Sequence, residues 1–266
     1  MRQNMLIRYL QMPFDRYYWQ TAILIARNGL ASQYRNSFLG ILWTLFQPLT
    51  MVIVYTTMMP MILKTPISGY TLYVIVSLPI WGFFQACIIG ASYSILSNGE
   101  TLKRCIVSSS VFPIADVLRS AYMFFIAFAT IYVLSLLMGI QHLDPLILLV
   151  PLYFIPVLII IGSISISIAF IAPYIRDISE LATVAMTVLF WMTPVVYQMD
   201  MLPEKAQFFM RLNPFYIMMH PLQMLVYQHT LPGWQEMGYL LALSAFSVVV
   251  GFAIFKLCRR NYVYYL

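Results

Sequence analysis

Apolar and polar residues fall along this chain in long blocks rather than in a fine alternation. An apolar run of roughly 20 residues, coiled as a helix at 1.5 Å per residue, crosses about 30 Å of hydrocarbon. The blocks predict six such spans, near Phe38–Leu63, Tyr70–Leu96, Val117–Met138, Leu146–Ala172, Leu181–Tyr197 and Met237–Leu257. Ahead of the first, Trp19, Ile23, Ala26 and Leu30 recur at helical spacing, with Gln20, Arg27, Asn28 and Arg35 elsewhere on the wheel. That stripe, in a basic segment beside a span, predicts an interfacial amphipathic helix lying along the inner leaflet. Residues 198–236 hold a further apolar patch, Pro214–Tyr227, with His220-Pro221 in its middle. Its 14 residues would make a helix of about 21 Å, too short to cross. They predict a re-entrant helical segment before the last span, marked by Asn213, Pro214, His220 and Pro221.

Charge orients the blocks. An even number of spans puts both termini on one side. Arg2, Arg8, Arg16, Arg27, Arg35, Lys103, Arg104, Arg119, Arg176, Lys256, Arg259 and Arg260 are then cytoplasmic, and Lys64, Lys205 and Arg211 lie outside. Twelve against three is a clear positive-inside bias. A seventh crossing at Pro214–Tyr227 would throw Lys256, Arg259 and Arg260 outside, so the count argues against it. Composition agrees: 62% of the 266 residues are hydrophobic and 9% charged, with mean hydropathy +0.83, against about 45–50% and 25% for soluble domains. The expected fold is all-α and polytopic, one membrane domain over residues 1–266. It comprises an N-terminal segment 1–37, five spans over 38–197, an extracytoplasmic region 198–236, and the last span with a cytoplasmic tail over 237–266. The net charge of +6 then belongs to cytoplasmic loops, and nucleic acid is not an expected partner. The first 37 residues contain no isolated apolar core of a cleavable signal. Cys87, Cys105 and Cys258 form no disulfide framework.

The expected spans carry no Asp, Glu, Lys or Arg in their interiors; Asp116 and Arg119 sit at an entrance. Ion-driven carriers usually place ionisable groups in the membrane, although some sodium sites use backbone carbonyls. Any uphill transport would draw its energy elsewhere. No G-x-x-x-x-G-K-[ST] loop is present, and no glycine is followed by lysine. An ATPase would be a separate subunit docking on cytoplasmic loops. Two such loops qualify: Ser97–Ala115 with Glu100, Lys103 and Arg104, and Pro173–Glu180 with Arg176, Asp177 and Glu180. Taken singly, Arg104 can be a positive-inside anchor, and Asp177 with Glu180 a capping box for the fifth span. Gly82, Ala86, Gly90 and Ser94 repeat every four residues, as do Ser163 with Ser167 and Ser165 with Ala169. Small residues so spaced let helices approach closely. Aromatic residues, 16% of the chain, can form interfacial belts or line a pathway where rings meet the C–H faces of sugars. The pathway candidates are Trp43, Phe46, Gln47, Tyr55, Phe83, Tyr93, Trp191 and Tyr197. Gln47 is singled out because it stands beside Pro48 deep in the first span, where an amide needs partners. His142, His220 and His229 make no H-E-x-x-H, and neither G-x-S-x-G nor a Cys/His cluster occurs. The chain reads as a transport subunit, not an enzyme.

Several short motifs recur in an order that fits this topology. They are Tyr34-Arg35-Asn36-Ser37-Phe38-Leu39-Gly40-x-x-Trp43 with Gln47-Pro48, then Arg176-Asp177-Ile178 and Thr193-Pro194-Val195-Val196-Tyr197, and finally Leu202-Pro203 with Asn213-Pro214-Phe215. In them the chain resembles the permease subunits of polysaccharide-exporting ABC transporters, in the ABC-2 membrane family, whose members export O-antigen, capsular polysaccharide or teichoic acid. The resemblance implies a homodimer working with two separate nucleotide-binding subunits. ATP and Mg would be bound by those partners, and no cofactor by this chain. It also implies coupling helices after the second and fourth spans, re-entrant helices before the last, and a pore at the dimer interface lined by aromatics of the first, second and fifth spans. The substrate it implies is an undecaprenyl-diphosphate-linked glycan, moved outward across a bacterial cytoplasmic (inner) membrane among its lipids. Alternatives are an ABC-2 permease for drugs or lipids and, from another class, an ion-coupled secondary carrier.

Overall fold

The computed structural model describes residues 16–33, 35, 38–63, 69–104, 107–140, 142, 144–175 and 177–258. Tyr34, Asn36, Ser37, Lys64, Cys105, Arg176, Arg259 and Arg260 lie outside the described residues. All regular structure within them is helical: α1 Arg16–Gln33, α2 Trp43–Leu63, α3 Tyr70–Ser97, α4 Gly99–Arg104, α5 Val111–Leu137, α6 Val150–Ile171, α7 Ile178–Trp191, α8 Glu204–Arg211, α9 Pro214–Val226 and α10 Trp234–Cys258. Short 3-10 turns precede α2 and α6 at Gly40–Leu42 and Pro145–Leu149. Among the described residues four helices, α3, α5, α6 with its leading turn, and α10, are long and apolar enough to cross a membrane. Shorter apolar stretches lie in α2 (Phe46–Ile62) and α7 (Ile178–Trp191). The chain is an all-α polytopic membrane protein.

The helix α3 is the hub. Its most apolar stretch is 72% buried within the protein, against 22% for α10. It reads apolar all round because it packs on α2, α5, α6, α7 and α9, and a helix surrounded by protein has no polar face to spare. Rings fill the core. Phe124 stacks on Phe154 at 4.5 Å and 8°, Phe83 meets Phe154 at 4.9 Å, and Trp81 touches both Phe190 and Phe215 at 5.7 Å. Trp81 thereby ties α3 to α7 and α9. The small residues of α6 serve close approach as expected: Gly251 of α10 faces Ser163, whose carbonyl oxygen would lie 3.1 Å from an added Cβ. Ser165 donates to the Cys87 carbonyl of α3 at 3.4 Å.

The expected boundaries shift for local reasons. The second and last spans match α3 and α10 to within a few residues. The first begins at Trp43 rather than Phe38, after bends at Phe38 and Leu39 and the 3-10 turn. The third starts at Val111 rather than Val117, so Asp116 and Arg119 are within a helix, paired i to i+3 at 3.1 Å. The fifth ends at Trp191 rather than Tyr197, for reasons given below. The capping box at its start is not formed: Asp177 has helical backbone and no side-chain capping bond. The short patch is indeed a short helix, α9, opened by Asn213, whose side chain accepts from the Phe215 N–H at 2.9 Å, and holding Pro221 inside it.

At one end of the bundle Ala91 and Ile95 of α3 pack with Ala169 and Phe170 of α6, joined by Leu102 of α4 and Phe255 of α10. At the other, two loops are stapled together. Asp144 caps the turn before α6 by accepting from Leu146 N–H at 2.9 Å, and its Oδ2 lies 2.5 Å from His229 Nδ1. His229 holds a left-handed backbone, φ 54°, which a non-glycine residue adopts only when its surroundings fix it. The Leu146 N–H first, and His229 second, hold the Asp144 carboxyl below its usual range. A depressed carboxyl adds stability above its ordinary pKa, near 4, and loses it as pH falls through the lower folded value. Melting temperatures of wild type and Asp144→Ala should therefore differ at neutral pH and converge in acid; a gap that persists or widens in acid would assign the effect elsewhere.

Candidate functional site

The first helix is pressed onto the bundle by its smallest residues. Ala22 and Ala26 are buried, and Tyr18 reaches Ser110 before α5 at 3.2 Å. Beside that face Trp19 and Ile23 stay exposed. The expected stripe of Trp19, Ile23, Ala26 and Leu30 is thus divided: Ala26 is buried and Leu30 partly so, while Trp19 and Ile23 lie on the exposed flank, where an interfacial helix would offer them to lipid.

Between α1, α2, α3, α5 and α7 opens a cavity of about 740 Å³. Along α3 its lining runs from Leu78 to Gly90, about 18 Å of helix. Of the pathway candidates it gathers Trp43, Gln47, Tyr55 and Phe83. Gln47 and Pro48 both line it, and the proline removes one ladder bond of α2 at that level. Tyr55 sits 6.3 Å from Phe190, which lines the same wall. Phe83 is chiefly a core ring, buried against Phe84, Phe124 and Phe154. Phe46, Tyr93, Trp191 and Tyr197 are not among the lining residues: the first three are exposed on helix surfaces, and the Tyr197 hydroxyl donates to the Trp191 carbonyl at 2.7 Å.

The stripe Gly82, Ala86, Gly90 and Ser94 does not do what its spacing predicts within the chain. Gly82, Ala86 and Gly90 line the cavity, and a Cβ built on Gly82 or Gly90 would meet nothing within 4 Å; only Ser94 is buried. Their smallness keeps space open instead of bringing a described helix close. Gln33, Gln85, Ser120 and Thr187, unmarked in the sequence, also line the cavity, as does Arg119, which the sequence placed only at a span entrance. Isolated amides in apolar runs were the signal that could have found Gln85.

Above the cavity the chain leaves α7 and turns. Pro194 has no N–H to continue a helix, and a residue before proline is pushed out of the helical region. Thr193, Pro194, Val195 and Val196 are nonetheless buried, so their carbonyls need partners. Tyr70 donates to Val196 at 2.7 Å, and the Tyr73 hydroxyl lies between the carbonyls of Pro194 and Tyr197, 2.8 Å from the latter. Gln223 of α9 donates to Ser77 at 2.8 Å and approaches Pro194 O at 3.4 Å. Asn213 donates to Met192 O at 3.0 Å and Thr193 Oγ1 at 2.9 Å, and Gln198 to the Tyr227 hydroxyl at 2.6 Å. These bonds form a clamp joining α3, the end of α7 and α9. His220 stacks on Tyr216 at 4.8 Å.

The stretch that carries the cavity and the clamp, residues 20–227, matches the family described as ABC-2 type transporter. The chain belongs to that family. It is similar to an O-antigen export system permease protein RfbA of Klebsiella pneumoniae, 24% identical over 246 residues that cover 92% of this chain and 95% of the relative. A second Klebsiella pneumoniae protein of that name is 23% identical over 254 residues, covering 95% and 98%. The Myxococcus xanthus protein of that name is 27% identical over 251 residues, covering 90% and 93%. In this ABC-2 chain the charges expected to couple to an ATPase lie near the end closed by the α3–α6–α10 cluster. Glu100 and Arg104 pair at 3.2 Å on α4, both largely exposed, with Lys103 beside them. An ion pair so exposed contributes little to stability and leaves its groups accessible. Asp177 and Glu180 are exposed at the start of α7.

Proposed function

We propose that this chain is the permease subunit of an ATP-driven exporter that moves a lipid-linked polysaccharide, O-antigen-like, across the bacterial cytoplasmic membrane. The observation that carries the reading is the cavity, whose walls combine Trp43, Tyr55, Trp81 and Phe190 with the amides of Gln47 and Gln85. Aromatic faces take the C–H faces of sugars, and amides take their hydroxyls. Similarity to the export permeases over nearly the whole chain supports the same substrate class.

In this reading six spans put both termini in the cytoplasm, with α9 re-entrant, and the last short helices face outward. Two copies pair, since α2 and α7 keep broad apolar surfaces exposed, including Met51, Ile53, Val54, Leu181, Val184 and Val188. Two separate ATPase subunits dock on α4 and the α6–α7 link through Glu100, Lys103, Arg104, Arg176, Asp177 and Glu180. ATP and Mg reside in those subunits. The substrate is an undecaprenyl-diphosphate-linked glycan.

Deleting the gene tests the reading. Long-chain glycan should vanish from the cell surface and accumulate inside. It should return with the wild-type gene, but not when the partner ATPase is disabled. Unchanged surface glycan would overturn it in favour of a drug or lipid permease.

A further inference from the structure

The cavity is chemically uneven. Among the described residues that line it, Arg119 is the one with a formal charge. Two contacts hold its arm. Asp116, one turn earlier on α5, accepts from Nη2 at 3.1 Å. On the other side the side chain lies flat against α1 at Gly29, where an added Cβ would come within 3.3 Å of Nη1 and 3.5 Å of Cδ. A larger residue at Gly29 would push the guanidinium away, so the bare backbone there is what lets the arm pass between the helices. An arginine that only marks the inner leaflet would extend freely towards headgroups. This one is confined, about one-third exposed, beside a cavity.

We infer that Arg119 forms, in the wall of the cavity, a binding site for the phosphate groups of a lipid-borne diphosphate. The guanidinium has five N–H donors in a planar fork that matches phosphate oxygens two at a time. Asp116 occupies Nη2 alone. Gln33 and Gln85 line the same cavity and bring amide donors. A diphosphate carries its charge at one point between a hydrocarbon tail and an uncharged glycan. The cavity has the matching chemistry: one cation together with aromatic rings and amides on its walls. The identity of the lipid rests on the exporter reading above; the anion site itself rests on Arg119 and its two contacts.

Asp116 gives the inference a sign. Its carboxylate competes with any phosphate for the fork, so removing its charge strengthens binding, whereas a purely structural pair would gain nothing. The test uses the full-length protein with its ATPase subunit in phosphatidylcholine nanodiscs, with farnesyl diphosphate as probe and the fluorescence of Trp43 and Trp81 as signal. Arg119→Gln should weaken binding by at least about tenfold, Arg119→Lys by less, and Asp116→Asn should tighten it. Farnesol, which lacks phosphate, should bind every variant alike. Unchanged affinity in Arg119→Gln that melts like wild type would overturn the site. So would phosphatidate competing as well as inorganic diphosphate and farnesyl diphosphate, which would assign Arg119 to ordinary membrane lipid. The two readings fail separately. Normal glycan export by an Arg119→Gln protein that still binds the probe removes the site alone. Loss of probe binding in that variant, with surface glycan intact after gene deletion, removes the exporter and keeps the site.

Discussion

Replacing Tyr73 with phenylalanine should lower the melting temperature by roughly 4–8 °C, corresponding to about 2 kcal/mol in a chain of this size. The ring is buried, and its hydroxyl lies between two carbonyls of a segment that is neither helix nor strand. Without it the Tyr197 carbonyl loses that donor, and Pro194 keeps only the longer contact from Gln223 at 3.4 Å. The hydroxyl is buried with this turn inside the protein, where a lost donor leaves its carbonyls poorly paired. The edge-on contact of the ring with Tyr227 at 5.4 Å survives the change, so the loss measures the hydroxyl and not the packing. Tyr122, exposed on α5, supplies the control: Tyr122→Phe should melt like wild type. The loosening should be local as well as thermal. Proteolysis after Thr193–Tyr197 should accelerate in Tyr73→Phe, because the clamp is what fixes the turn between α7 and α9. Equal melting temperatures for the two phenylalanine variants would mean that the clamp contributes nothing to stability.

The clamp also marks where sequence reading succeeds and where it stops. Long apolar blocks revealed the helices, because a helix meets its own backbone hydrogen bonds and needs only apolar side chains to sit in lipid. The short helix α9 was legible from its length. The end of α7 was not, although the signal stood in plain view. Val195 and Val196 extend the apolar run past Pro194, and hydropathy cannot tell a buried turn from a continuing helix. What decides is the presence of donors far away, Tyr70, Tyr73, Asn213 and Gln223, and the distances in sequence are large: 121 residues separate Tyr73 from Pro194. The cavity was half legible. Trp43, Tyr55 and Phe83 were marked as aromatics and Gln47 as an amide in an apolar span. Gln33 and Arg119 were not linked to it, since each reads locally as a helix end or an inside anchor. The glycine stripe was seen, but the open space beside it in this chain was not foreseen. Spacing says that something small is required every four residues; only the surroundings say whether a helix or an open space is on the far side.

That open space leads to the largest functional effect expected. Gly82→Leu and Gly90→Leu should each fold and pair normally yet export glycan more than about tenfold more slowly, a change that needs only about 1.4 kcal/mol of added barrier. A Cβ at either position meets no atom within 4 Å, so the branch point enters without strain, and replacing glycine inside a helix contributes up to about 1 kcal/mol of stability. The leucine then projects into a passage whose total volume is about 740 Å³ and which Trp43, Gln47 and Tyr55 also line. Gly251→Leu is the matched contrast. There the added atoms would press on the Ser163 carbonyl, 3.1 Å from the Cβ, at the contact of α6 with α10. That variant should lose stability and export together, as overpacked helix contacts do, by about 1–3 kcal/mol. Melting temperature, cross-linked dimer yield and surface glycan, measured on the three variants side by side, separate the possibilities. If Gly82→Leu and Gly90→Leu lose dimer rather than flux, the stripe is a contact between copies. If both export at the wild-type rate, the glycan travels elsewhere.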